Sequence, residues 1–350
     1  MKIKNQDYFG KKVFVGMDVH KKSYVIAASC DGEIVKKWTT TADPQTTVEQ
    51  LKRFFEGAEI YSGYEAGFSG FTLHRVLVAG GIKNKVINAG SIEVESNNRV
   101  KTDKRDARKI AEQLAANRLR GINVPSEEDE SRRSLSRGRE QVVERRKSIG
   151  NQIKMKLHYL GFTLNDQKIC ESFLKWVEDL EMVKEHRFAI AELIDAWRQE
   201  TKRIKRFDQA LKEQALKDDL EEIYRSAPGI GAVSARVLSN ELSDMSRFDN
   251  ERQLFSSSGL TPGEHSSGEH VRRGHISRQG SPRIRAIMIE VAWRALAKDR
   301  SLKDFYNQVA SHRDGKRAIV AVARKMLGRL RHCLKEKIKW QDLSIVVPAN

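Results

Sequence analysis

Residues 13–40 read VFVGMDVHKKSYVIAASCDGEIVKKWTT, and this stretch decides the fold of the N-terminal part of the chain. The apolar run Val13-Phe14-Val15-Gly16-Met17 predicts a buried strand that ends at Asp18. His20-Lys21-Lys22 reads as a turn, and Ser23–Cys30 as a second strand. Asp31-Gly32 is a strong hairpin turn, since both positions tolerate positive φ, and Glu33–Thr40 follows as a third strand. Working outward, Pro44–Phe55 carries Val48, Leu51 and Phe55 on one side of a helix. Ile60-Tyr61-Ser62-Gly63-Tyr64 is another β-like run, closed by Glu65. A helix over Phe71–Ala79, a short strand over Lys85–Asn88 and a helix over Asp103–Ala116 complete the region.

Three antiparallel strands followed by alternating helices and strands resemble an RNase H-like α/β layout, here assigned to residues 1–125. Asp18, Glu65, Asp103 and Asp106 fall at positions where such a layout can bring them together. Asp103 and Asp106 are three apart on a helix, so their carboxylates share one face. Carboxylates at strand ends, completed by a helical pair, make an all-oxygen site for Mg²⁺ and suit phosphodiester chemistry. A plainer origin is also open. The chain has 47 acidic residues, and an Asp pair near a helix N-terminus is favoured by the helix dipole alone. Four converging carboxylates would need a metal to relieve their repulsion. Lys101, Lys104 and Arg105 flank the pair and either hold phosphates or are simply solvated.

The 350 residues allow two or three domains and a sizeable core. A formal charge of +17 favours a polyanionic partner, nucleic acid first. Cys30, Cys170 and Cys333 lie far apart and match no zinc or disulfide framework, which fits a reducing cytoplasm. The N-terminus MKIKNQDYFGKK lacks the apolar core of a signal peptide, and no apolar run reaches the length of a membrane span. The expected location is the cytoplasm.

Pro125 and the acidic run Ser126–Glu130 mark a boundary. Beyond it, Leu135, Val142, Ile149, Ile153, Leu157 and Leu160 recur at near-heptad spacing, predicting a long amphipathic helix with coiled-coil character. Phe173, Trp176, Leu180 and Val183, then Leu193, Trp197, Ile204 and Leu211, continue as its partner, so 126–222 reads as a helical hairpin that spaces domains or dimerises. Residues 223–350 form a mostly helical C-terminal domain. Pro228-Gly229-Ile230-Gly231 before a helix is either a phosphate-gripping turn or an ordinary turn between packed helices. From Glu269 to Lys339 there are 19 Lys and Arg against 6 Asp and Glu, so positive charge gathers where a backbone-binding surface needs it. Between Leu260 and Arg285, Ser266 and Ser267 precede Gly268, and Arg272, Arg273, Arg278, Arg283 and Arg285 follow. A serine in a glycine loop among arginines can attack a phosphodiester. The same stretch also suits a basic loop that only grips nucleic-acid backbone. His265, His270 and His275 fit no common metal-ligand spacing.

GMDVHKK, YEAG, KTDKRDARKIA, PGIG, FDNERQLFSSSGLTPGEHSSG and ISRQGSPRIR occur in that order between Val13 and Leu296. In this order they resemble the insertion-sequence transposases of the IS one-ten group. The resemblance implies a RuvC-like, RNase H-fold domain holding Mg²⁺ on Asp18, Glu65, Asp103 and Asp106. It also implies a coiled-coil linker and a C-terminal transposase domain with a catalytic serine, Ser267, with Ser266 as runner-up. The family is expected to work as a homo-oligomer, a dimer or tetramer. Its composite site links serine covalently to DNA, and a noncoding bridge RNA pairs with donor and target DNA. Two departures touch the phosphate contacts: Gly268-Glu269-His270 stands where the family continues with glycine and lysine, and Arg278-Gln279 replaces a lysine-arginine pair. Two rival functions remain open. One is a Holliday-junction nuclease of RuvC type using metal-activated water; the other is a non-catalytic nucleic-acid-binding protein.

Overall fold

The computed structural model describes residues 7–88, 90, 92, 103–164, 168–267 and 270–343, with backbone only for 104, 264–267 and 270–273. The chain divides into two units, Met1–Val124 and Pro125–Asn350. In the first, β1 (Lys12–Val19), β2 (Ser23–Cys30), β3 (Glu33–Thr41), β4 (Glu59–Glu65) and β5 (Lys83–Ile87) form one sheet in the order β3-β2-β1-β4-β5. β1/β2 and β2/β3 are antiparallel; β1/β4 and β4/β5 are parallel. This mixed sheet is consistent with the RNase H-like layout.

The two parities of β1 explain why residues 13–17 read as a continuous apolar run. Val13, Val15 and Met17 are fully buried in a core shared with α1 (Pro44–Phe54) and α2 (Thr72–Ala79). Phe14 and Gly16 turn to the opposite face, where Ile110 and Leu114 of α3 (Asp103–Ala115) pack with Ile87 and Leu119. A strand covered on both sides shows no alternation. Asp43 caps α1, its carboxylate accepting from Thr46 N, and Pro44 fills the first helical position, where its missing N–H costs nothing.

The second unit is helical: α4 (Glu127–Tyr159), α5 (Glu171–Glu178), α6 (Lys184–Ala215), α7 (Glu221–Ser226), α8 (Ala232–Leu242), α9 (Glu251–Ser258), α10 (Pro282–Ala295), α11 (Arg300–Ala310) and α12 (Gly315–Glu336). The acidic run at 126–130 is the start of α4. Ser126 Oγ accepts from Asp129 N at 3.0 Å, and four carboxylates sit in the first turn, where the helix dipole favours them. α4 and α6 lie antiparallel, with Gly138 against Phe207 and Gly150 against Trp197, and Arg139 reaches Asp208 at 2.6 Å. The partner of α4 is two helices rather than one continuous stretch. Phe173, Leu174 and Val177 bury α5, Trp176 and Val183 are exposed, and the helix is interrupted between Glu178 and Lys184. α7, α8, α10 and α12 enclose the main core of this unit around Tyr224, Leu238, Met288, Val291, Met326 and Leu330.

The segment read as a glycine loop is an antiparallel hairpin, β6 (Pro262–Ser267) with β7 (His270–Ile276). Its sequence hides it because Glu264-His265-Ser266-Ser267 shows no apolar alternation.

Candidate functional site

Parallel pairing of β1 with β4 aligns Gly16 with Gly63 and Met17 with Tyr64. One step further along both strands stand Asp18 and Glu65, side by side at the carboxyl ends of neighbouring strands. Each lies two residues beyond a glycine, so both share the face covered by α3. The glycine pair is what lets α3 come so close. A Cβ on Gly16 would run into the Ala107 carbonyl oxygen and the Ala111 amide nitrogen, and one on Gly63 into Ile87 Cδ1 at 2.8 Å. From Gly16 to Asp18 the strand rises about 6.6 Å. From Ala107 back to Asp103 the helix rises about 6 Å. The N-terminal turn of α3, carrying Asp103 and Asp106, is thereby brought to Asp18.

Asp18 Oδ2 and Asp103 Oδ2 both face the ring of His20, whose Nε2 lies 3.3 Å from the first and 3.1 Å from the second. Ligand atoms of these three residues lie within 4.8 Å of one another. Burial pushes the Asp18 carboxyl above the ordinary carboxylate value. His20 lowers it, and the charges of Asp103, Asp106 and Glu65 raise it again. The other three predicted acids thus each act on Asp18, and Asp103 shares the tight group with it; Glu65 and Asp106 stand outside that group. His20, read only as a turn residue, is the member that sequence reasoning missed. The signal was present as a histidine two residues past a strand-end aspartate. Lys101 and the side chain of Lys104 lie outside the described residues.

In the second unit, Gly229 adopts φ +81°, and an added Cβ would lie 2.6 Å from Val291 O and 2.9 Å from Ala295 N, so this glycine seats the turn against α10. Gly231 is the N-cap of α8 and has open space around it. It borders a cleft of about 640 Å³ lined also by Arg139, Arg283 and Arg294, together with Glu140 and Glu290. Arg283 is paired with Glu140 and Arg294 with Glu290. Arg285 donates to the carbonyls of Ser258 (3.2 Å) and Arg278 (3.4 Å), a structural duty at the base of the hairpin. Arg278 is exposed, at φ +55°. Ser267 is the last residue of β6, paired in register with His270, and Ser266 pairs with Val271. The side chains of Ser266, Ser267, Arg272 and Arg273 lie outside the described residues.

Two transposase family models match the chain: the DEDD model of the IS110 group over residues 15–160, and the "Transposase IS116/IS110/IS902 family" model over residues 221–307. The chain belongs to the IS110 group of insertion-sequence transposases. The first match holds the acidic residues and the second the β6–β7 hairpin. The transposase for insertion sequence element IS1533 of Leptospira borgpetersenii is similar: 28% identical over 339 residues, spanning 91% of this chain and 95% of its own. A Sinorhizobium fredii chain with a transposase name, y4qE, is 29% identical over 297 residues, spanning 81% and 72%. The transposase for IS1111A of Coxiella burnetii is 25% identical over 276 residues, spanning 72% and 71%.

As an IS110-group transposase the chain is a DNA recombinase, and the DEDD family to which it belongs points to divalent metal use. The donor set fits such an ion. Carboxylate oxygens from a strand and a helix converge, and an imidazole nitrogen faces the same point. No described helix is long and apolar enough to cross a membrane.

Proposed function

We propose that this transposase cuts and exchanges DNA strands through Ser267 as nucleophile. Asp18, Glu65, Asp103 and Asp106 would hold Mg²⁺, and a noncoding bridge RNA would pair with donor and target DNA. The convergence of Asp18 with the N-terminal turn of α3, inside a DEDD-family match, carries this reading. When bound, the metal polarises the scissile phosphate and stabilises the leaving oxygen. The Ser267 hydroxyl attacks phosphorus, a serine–phosphate bond forms, one phosphorus–oxygen bond of the DNA breaks, and the departing oxygen takes up a proton. A hydroxyl end from the second DNA then attacks that phosphoserine, re-forming a phosphodiester and returning the proton to Ser267. No high-energy cofactor is consumed, because each bond broken is matched by one formed. Arg272, Arg273, Arg278 and Arg283 offset the negative charge on the oxygens of the phosphorane-like transition state. The α8 N-terminus at Gly231, with Gly229 shaping its turn, offers backbone N–H groups to a phosphate. Base pairing would read sequence, while the basic region 223–350 grips backbone and shape. The α4–α6 hairpin within 126–222 would act as a coiled-coil arm for self-association into a dimer or tetramer.

Asp18→Ala and Ser267→Ala are each expected to abolish recombination while leaving copurifying RNA in place. Recombination retained in either variant contradicts that residue's role. DNA cutting by Ser267→Ala would point instead to a nuclease using metal-activated water, and binding without any metal-dependent cutting to a non-catalytic protein.

A further inference from the structure

We propose that His20 is a protein ligand of the divalent ion, giving the site a nitrogen donor and a preference for Mn²⁺ over Mg²⁺. This rests on the metal-binding reading above and adds to the four carboxylates a residue they do not include. His20 stands in the turn between β1 and β2, where its backbone N–H donates to Ser23 O at 3.0 Å and fixes the point from which the ring projects. The ring is 41% exposed, yet Nε2 itself is buried from solvent. That nitrogen has two carboxylate oxygens within 3.3 Å but no hydrogen bond to either, because neither is aligned as the acceptor of a ring N–H.

A shared ion accounts for both the distances and the poor alignment. Ligands at about 2.1 Å from an octahedral ion sit about 3.0 Å from their neighbours. The separations from Nε2 to Asp18 Oδ2 and Asp103 Oδ2, 3.3 and 3.1 Å, match such neighbouring ligands. In that geometry an oxygen lies about 45° off the axis from nitrogen to metal, which spoils a direct N–H···O bond while suiting coordination. Imidazole is a poor ligand for Mg²⁺, which favours oxygen and water, whereas Mn²⁺ accepts oxygen and nitrogen together in an octahedral shell. Two carboxylates and an imidazole from one strand end, its turn and one helix thus describe a mixed-donor site.

The test uses the full chain loaded with Mn²⁺ at substoichiometric metal. Pulsed EPR is expected to show ¹⁴N modulation from a directly bound imidazole in the wild type and to lose it in His20→Ala. Titration followed by the signal of free Mn²⁺, with Mg²⁺ as competitor, is expected to give tighter Mn²⁺ binding in the wild type. His20→Ala should weaken Mn²⁺ by about tenfold or more while changing Mg²⁺ by less than about threefold. The wild-type EPR measurement needs no variant, so a folding defect cannot hide the answer. Mn²⁺ bound without ¹⁴N coupling, or bound equally or more tightly by His20→Ala, overturns the role of His20 and leaves the carboxylate site standing. A wild-type chain that binds neither ion overturns both.

Discussion

Gly16 has no side chain to offer chemistry, yet the acidic site depends on it. Replacing it with alanine forces a Cβ against the backbone of α3 at Ala107 and Ala111, where no flexible side chain can yield. We expect Gly16→Ala to destabilise the first unit by about 1–3 kcal/mol, or more if α3 cannot shift. Because α3 carries Asp103 and Asp106, metal affinity should fall with it; thermal melts with and without Mn²⁺ check both. Asp18 behaves in the opposite sense. Its folded-state carboxyl titrates above the ordinary value, so its contribution to stability is present below about pH 4 and lost as pH rises through the folded value. Without metal, Asp18→Asn should therefore melt at or above the wild-type temperature at pH 7, and the difference should shrink toward pH 4. With metal, only the wild type should gain, by about 2.7 kcal/mol at a hundredfold excess over Kd. The carboxylates were legible in the sequence because each closes an apolar run or opens a helix. The Gly16–Gly63 pair was not, because its meaning lies in a cross-strand register that no local pattern encodes. His20 was passed over for a similar reason, since Asp103, its second neighbour, is 83 positions away.

At the scale of elements, α7 and α8 are joined by a buried charge network. Arg236, 2% exposed, pairs with Asp218 and with Glu221 (2.6 Å), and Ser239 Oγ donates to Asp218 at 2.5 Å. Removing the guanidinium leaves two carboxylates buried and unpaired, so Arg236→Met should cost about 3–5 kcal/mol in urea unfolding of the second unit. Burial raises the Asp218 carboxyl, but the Ser239 and Arg236 hydrogen bonds outweigh it and the value is lowered. This group's contribution is thus present above about pH 4 and lost as pH falls through the lower folded value. Asp218→Asn should flatten that acid limb of the stability profile. Helices here were legible where one face was apolar, as in α3 and α4. The β6–β7 hairpin was not, because its strands carry serine, histidine and arginine where alternation would have to appear.

At the scale of the whole molecule, a mixed α/β unit bearing carboxylates is followed by a helical unit bearing a basic hairpin with Ser267 at its first strand's end. Each half alone has a plain alternative, a water-activating nuclease or a backbone-gripping module. Two transposase family matches fall on the one chain, one over each half, and the proposed reaction joins the acidic half to Ser267. That link is most directly tested by trapping the covalent intermediate. The full chain, with its copurified RNA and Mg²⁺ or Mn²⁺, is incubated with donor DNA, denatured and digested with protease and nuclease, and the peptide spanning residues 260–285 is read by mass spectrometry. Serine attack under metal control predicts a nucleotide phosphate on Ser267 that disappears in Asp18→Ala and without metal. Metal-dependent cutting by Ser267→Ala, with no protein–DNA adduct in the wild type, would contradict it.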